Sequence, residues 1–143
     1  MLFRSLGKPE TFNFLGFTFI CGKTRAGRFQ LQRKTRRDRM RAKLKMIKEE
    51  MWHRMHQPIP IQGKWLRQLV QGYFNYHAVP TNYRALGAFR TEIARRWHRV
   101  LTRCGDRAKL HWIRMKQLID TWLPKPRIIH PWPNRRFAVT HSR

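Results

Sequence analysis

Acidic residues are scarce: Glu10, Asp38, Glu49, Glu50, Glu92, Asp106 and Asp120 stand against 32 lysines and arginines in 143 residues. That scarcity argues against phosphoryl or nucleotidyl transfer, which relies on clustered carboxylates that hold divalent metal ions. The one adjacent pair, Glu49-Glu50, points to two azimuths of a single helix and reads as solvated charge offsetting nearby lysines. Cysteine is equally sparse. Cys21 and Cys104 form neither a disulfide framework nor a zinc spacing, and read as ordinary thiols. His53 and His56 stand three apart, but no third ligand has a fitting spacing. "GKTRAG" contains a Gly-Lys-Thr without the glycine five residues before its lysine that a phosphate-binding loop requires. No serine or cysteine lies in a recognisable nucleophile context. No apolar run approaches the roughly 18 to 20 residues of a membrane-spanning helix, and the opening "MLFRSLGKPE" lacks a signal-peptide pattern. The expectation is a soluble, cytoplasmic protein with no cofactor, no metal and no catalytic residues of its own.

What the sequence has in excess is positive charge. The net charge is +25, yet 41% of residues are hydrophobic, enough for one small folded unit. A compact domain with that charge repels itself, so a polyanionic partner that neutralises it is expected. Basic amphipathic helices also suit a membrane surface, but several apolar stripes able to satisfy one another favour a bundle core and argue against a membrane.

The periodicities give a mainly α chain. It comprises an N-terminal β-hairpin, a small bundle of about four helices and an extended, proline-rich C-terminal tail. Phe12 to Cys21 and Arg28 to Arg33 flank the loop "GKTRAG", and Phe29 and Leu31 alternate with Gln30 and Gln32. Within the first strand the alternation changes phase at Leu15-Gly16, which predicts a bulge. Thr35-Arg36-Arg37-Asp38 reads as a capping box. A first helix follows with Met40, Leu44, Ile47, Met51 and Met55 on one face, and it should end before Pro58 and Pro60. A second is expected from about Gln62 to His77, with Trp65, Leu66, Leu69, Val70, Tyr73 and Phe74 on its apolar arc. The third carries Leu86, Phe89, Ile93, Trp97 and Val100 and ends at Cys104-Gly105. Asp106 can cap a fourth, whose stripe is Trp112, Met115, Leu118, Ile119 and Trp122. Pro124, Pro126, Pro131 and Pro133 then enforce a tail expected to lie across the helices.

Cations project from at least three of these helices, so phosphate contacts can spread over one face. The candidate RNA contacts are Lys34, Arg36 and Arg37 at the strand-to-helix junction, and Arg39, Arg41, Lys43, Lys45 and Lys48 on the first helix. The second helix adds Lys64 and Arg67, with Gln68, Gln71 and Asn75 as amides able to meet base edges or 2′-hydroxyls. Arg84, Arg95 and Arg99 complete the set. The tryptophans fall on apolar stripes, where core packing outweighs base stacking.

Three stretches taken together are familiar: "KPETFNFLGFTFICGKTRAGRFQLQRKT", "QGKWLRQLVQGYFNYHAVPTNYRALGAFR" and "WLPKPRIIHPWPNRRFAVTHSR". In order and spacing they resemble the C-terminal part of bacterial group II intron reverse transcriptase/maturase proteins, from Lys8 onward. The resemblance implies that Phe14 to Phe17 belongs to the last reverse-transcriptase block, and that Gly72-Tyr73-Phe74-Asn75-Tyr76 belongs to the maturase or thumb domain. Residues 1–33 would then be a β-hairpin remnant of the palm/thumb junction, 34–123 the helical thumb and 124–143 a basic tail. Where the family often has an arginine before that glycine and an aromatic after the tyrosine, this chain has Gln71 and His77. The implied partners are structured intron RNA and an RNA/DNA template-primer duplex. The family's fingers and palm, with their metal-binding carboxylates, would lie upstream of Met1, so no polymerase activity is expected of the chain alone. A separately encoded fingers-palm polypeptide would dock through Phe12, Phe14, Leu15, Phe17 and Phe19. The remaining alternative is a general basic RNA-binding or ribosome-associated scaffold.

Overall fold

A computed structural model describes residues 11–23, 25–104 and 111–131. Three strands, β1 (Thr11–Phe14), β2 (Phe17–Lys23) and β3 (Phe29–Thr35), precede four helices. These are α1 (Arg37–His53), α2 (Ile59–His77), α3 (Tyr83–Cys104) and α4 (Trp112–Trp122), so the protein is mainly helical with an N-terminal antiparallel hairpin, as the periodicities predict. The Phe12 and Phe14 side chains, the expected cap residues Gly105 and Asp106, and the tail from Trp132 onward lie outside the described part of the structure.

The hairpin around "GKTRAG" is β2 paired with β3, from Phe17 opposite Thr35 to Lys23 opposite Phe29. The break at Leu15-Gly16 is not a bulge. Phe14 pairs with Phe17, and Leu15 and Gly16 have φ of 52° and 82°. Two successive left-handed residues make the tight turn whose twist matches its flanking strands, so the phase change marks a chain reversal and the sheet has three strands in the order β1-β2-β3. The alternation along β3 is real, but its apolar side is open: Phe29 is 70% exposed.

The capping box does not form. Thr35 ends β3, Arg36 occupies the N-cap of α1 without a side-chain bond, and Asp38 is held by Arg36 instead. Thr35 is unavailable because its amide and hydroxyl are both bonded to Asn82. α2 begins three residues before the expected Gln62, with Pro58 at its N-cap and Pro60 in its first turn. Proline is tolerated there because first-turn amides have no intrahelical acceptor to lose.

The four apolar stripes meet in one core. Leu44, Ile47 and Met51 of α1, Leu66, Val70 and Phe74 of α2, the whole α3 stripe from Leu86 to Val100, and Met115 and Ile119 of α4 are buried together. Trp97 at its centre donates its indole N–H to Gln62 Oε1 at 3.0 Å, and Gln62 Nε2 donates to the Gln57 carbonyl at 2.8 Å. One buried amide thus ties the α1–α2 turn to the core. Trp122 lies across Gly63, where a Cβ would overlap the indole, so only glycine lets α4 approach α2 this closely. Trp112 departs from its stripe: it is exposed, with its ring edge-on to His98 at 5.3 Å. The described start of the tail follows expectation. Ile128 packs on the core, and the Ile129 and His130 amides both donate to the Ala78 carbonyl.

The sheet is fastened to the bundle through the α2–α3 turn. Thr81 Oγ1 accepts from the Arg33 amide at 2.8 Å and donates to the Arg33 carbonyl at 3.1 Å. Asn82 Oδ1 accepts from the Thr35 amide at 2.8 Å. Two side chains therefore occupy the free edge of β3, an edge that otherwise invites pairing with another chain. Thr81 adopts φ 76° to do so, a strained conformation for a β-branched residue.

Candidate nucleic-acid interface

Burial of Leu44, Ile47 and Met51 leaves both flanks of α1 in solvent, with Arg39 and Lys43 on one and Arg41, Lys45 and Lys48 on the other. Arg39 and Lys43 of the first flank line one concavity, and Lys48 of the second lines another. The first, about 990 Å³, lies between α1, α2 and the β1–β2 turn; Arg36, Arg39 and Lys43 form its α1 wall and Gln68, Gly72 and Tyr76 its α2 wall. The second, about 670 Å³, is bounded by Lys48 and Trp52 of α1 and by His98, Arg99, Thr102 and Arg103 of α3. The Arg103 guanidinium sits over the Trp52 ring at 5.6 Å from its centroid.

An aromatic column runs from the core to the first groove. Phe89 stacks on Tyr73 at 3.6 Å between centroids, Tyr73 on His77 at 4.0 Å, and Phe17 stacks on Tyr76 while leaning on His77. The Tyr76 hydroxyl donates to the Leu15 carbonyl at 2.7 Å, and the Arg36 amide donates to the Gly16 carbonyl at 3.0 Å. The turn that opens the sheet is therefore one wall of the groove. Phe17, expected at an interface with another polypeptide, is buried within this column.

Tyr73 carries an uncompensated group. Its hydroxyl is buried with no well-formed hydrogen bond, and burial pushes its pKa up to about 12, opposed only by a weak interaction with the Thr35 hydroxyl, whose geometry is too poor to satisfy it. Removing an unsatisfied buried polar group relieves its desolvation cost, so Tyr73→Phe should stabilise the fold by about 1 kcal/mol. Thermal unfolding followed by circular dichroism would show this as a rise of about 3 °C.

The His77 surroundings favour its neutral form. Burial pushes its pKa below 6.5, aided by the Lys43 charge and opposed by the hydrogen bond with the Tyr73 carbonyl. A proton that binds the unfolded chain more readily than the folded one makes stability rise with pH. The His77 contribution is therefore complete above about pH 6.5 and is lost as pH falls towards its folded value. Melting curves collected from about pH 7.5 down to pH 5 should show a falling midpoint, and His77→Gln should flatten that decline.

The structure sorts the candidate contacts. Arg39, Lys43 and Gln68 share the first groove, and Lys48 and Arg99 share the second. Lys34, Arg37, Arg41, Lys45, Lys64 and Arg84 are exposed elsewhere on the surface. Five others are engaged in contacts within the protein. Arg36 grips Asp38 with both Nε and Nη2, and those hydrogen bonds hold the Asp38 carboxyl below its usual range. Arg67 donates to the Thr121 carbonyl at 2.6 Å and covers the Trp122 ring at 4.9 Å, fixing α2 to the end of α4. Arg95 pairs with Glu92 at 3.1 Å. Gln71 donates to Asn75 Oδ1 at 2.9 Å, so one N–H of Gln71 and the Asn75 oxygen are engaged with each other. Tyr76 and Gly72 line the first groove and Arg103 the second; periodicity gives none of them a contact role, because their placement depends on which helices are neighbours.

Among the described residues no group of three or more His, Cys, Asp or Glu is placed to hold a metal ion, and no helix is long and apolar enough to cross a membrane. Comparison of the chain with family models, with curated proteins and with solved structures found no match.

Proposed function

We propose that this chain is an RNA-binding module of the maturase or thumb type found in group II intron proteins, which grips structured intron RNA and assists its splicing and mobility without polymerase chemistry of its own. The supporting observation is α1: a helix with a buried stripe whose two flanks stay cationic and each contribute to a separate concave groove. Cations held on a packed scaffold meet phosphates at fixed spacing, and each contact releases counterions from the RNA. The sequence resemblance supplies the intron class. Filter binding to a group II intron and to a scrambled RNA of equal length tests the proposal. The intron should bind more tightly at moderate salt, and affinity for both should fall steeply as salt rises. Equal affinity would reduce the protein to a general polycation.

A second reading, docking on a separate fingers-palm polypeptide, is favoured by the apolar residues on the sheet, where Leu15 is 66% exposed and Leu31 and Phe29 are also in solvent. Mixing the chain with such a fragment should then restore primer extension. Failure of two well-folded fragments to do so would count against it.

A further inference from the structure

Resting on the RNA-binding proposal, we propose that the groove between α1, α2 and the β1–β2 turn receives a single unpaired nucleotide of a structured RNA. Its base lies against Tyr76 and its phosphates meet Arg39 and Lys43. Gln68, Gly72 and Tyr76 follow one another at intervals of four along α2 and line the same wall. Side chains four apart stack along one helix face, so Gly72 leaves a notch between an amide and an aromatic ring. Gln68 and Tyr76 are separated by about 12 Å of helix at roughly 1.5 Å per residue, room for a flat ring between them. Apart from its chain neighbours and the surrounding turns of helix backbone, nothing lies within 4 Å of where a Gly72 Cβ would be, so the notch is open space.

The ring that ends the notch is suited to stacking. Phe17 backs one side of Tyr76 at 5.7 Å with 17° between the planes, and the bond to Leu15 fixes its far end. Tyr76 nevertheless remains 52% exposed. A ring fixed in place loses little freedom on binding, and every base offers it a π-face. Arg39 and Lys43, one turn apart on α1, face the notch from the opposite wall, while Gln68 offers both a donor and an acceptor to a base edge. The groove, about 990 Å³, has the size of a small-ligand site, which suits one nucleotide and not a whole duplex. A base must leave its stack to enter, which costs least where it is already unpaired.

Two RNA stems, identical except for one unpaired nucleotide, should therefore bind differently. Fluorescence anisotropy on the full chain at about 0.1 M salt should show the bulged stem bound roughly tenfold more tightly than the paired one. Tyr76→Ala should bring that ratio close to one, but it also releases the β1–β2 turn. Gly72→Leu fills the notch from a position with free space around it and adds a better helix former, so it should fold, as circular dichroism would verify, and also bring the ratio close to one. Equal binding of both stems by the unaltered protein would overturn the nucleotide site while leaving general RNA binding intact. A preference that persists in folded Gly72→Leu would overturn its location. Failure to bind either stem would overturn both proposals.

Discussion

Asn82→Ala is expected to destabilise the protein by about 3 to 4 kcal/mol and to lower its melting midpoint by roughly 10 °C. Asn82 is 1% exposed, and its amide serves three groups at 2.8 Å: it accepts from the Thr35 amide and donates to the Thr35 hydroxyl and the His77 carbonyl. Alanine removes all three bonds without supplying replacements. Each partner left dry costs about 1 to 3 kcal/mol, and the loss falls where strand, helix end and interhelical turn converge. Chemical denaturation at constant m-value would measure it. Asn82→Asp separates bonding from volume. It keeps the acceptor for the Thr35 amide but turns its second oxygen towards the His77 carbonyl and puts a carboxyl in a site that is 1% exposed, so it should destabilise at least as much as Asn82→Ala. A midpoint for Asn82→Ala within about 2 °C of the unaltered protein would show that the sheet is held by other contacts.

For the double variant Arg39→Gln/Lys43→Gln, the expected result is a loss of about thirtyfold in RNA affinity near 0.1 M salt. Two phosphate contacts contribute about 0.7 to 0.9 each to the slope of log affinity against log salt, so the slope should shrink by about 1.4 to 1.8. Both residues are exposed on α1 and face the first groove, so the fold should tolerate the change. Arg36→Gln is the instructive control. Arg36 lines the same groove, but its guanidinium is bonded to Asp38 at 2.6 Å, so the pair offers an approaching phosphate little net charge. Its removal should change the salt slope much less than either neighbour's removal. An equal change for all three would mean that affinity follows net charge and not the groove.

Much of this architecture is legible in the sequence because it depends on local periodicity. Leu86, Phe89, Ile93, Trp97 and Val100 recur at helical spacing, and all five are buried in α3. The prolines and glycines between stripes likewise mark where helices stop. Sequence and structure part where one local pattern allows two long-range outcomes. A phase change at Leu15-Gly16 suits either a bulge or a reversal, and reversal occurs because the returning strand buries Phe17 on α2 and bonds the turn to Tyr76 and Arg36. Thr35 and Asp38 have the capping-box spacing, but Asn82, 47 residues away, provides Thr35 with partners inside the core.

The candidate interface divides along the same line. The expectation of a polyanionic partner comes from composition, since 32 cations cannot be neutralised by seven acids in any fold. Which cations are available does not follow, because it depends on pairing across space. Arg67 is tied to Thr121 on another helix, whereas Lys48 and Arg99, from helices that only tertiary packing makes neighbours, face one concavity. Charge and periodicity are properties of the chain and survive any arrangement of its helices. A groove, a notch at Gly72 and a ring braced by Phe17 exist only once particular helices and strands are packed side by side, and tertiary structure alone decided those.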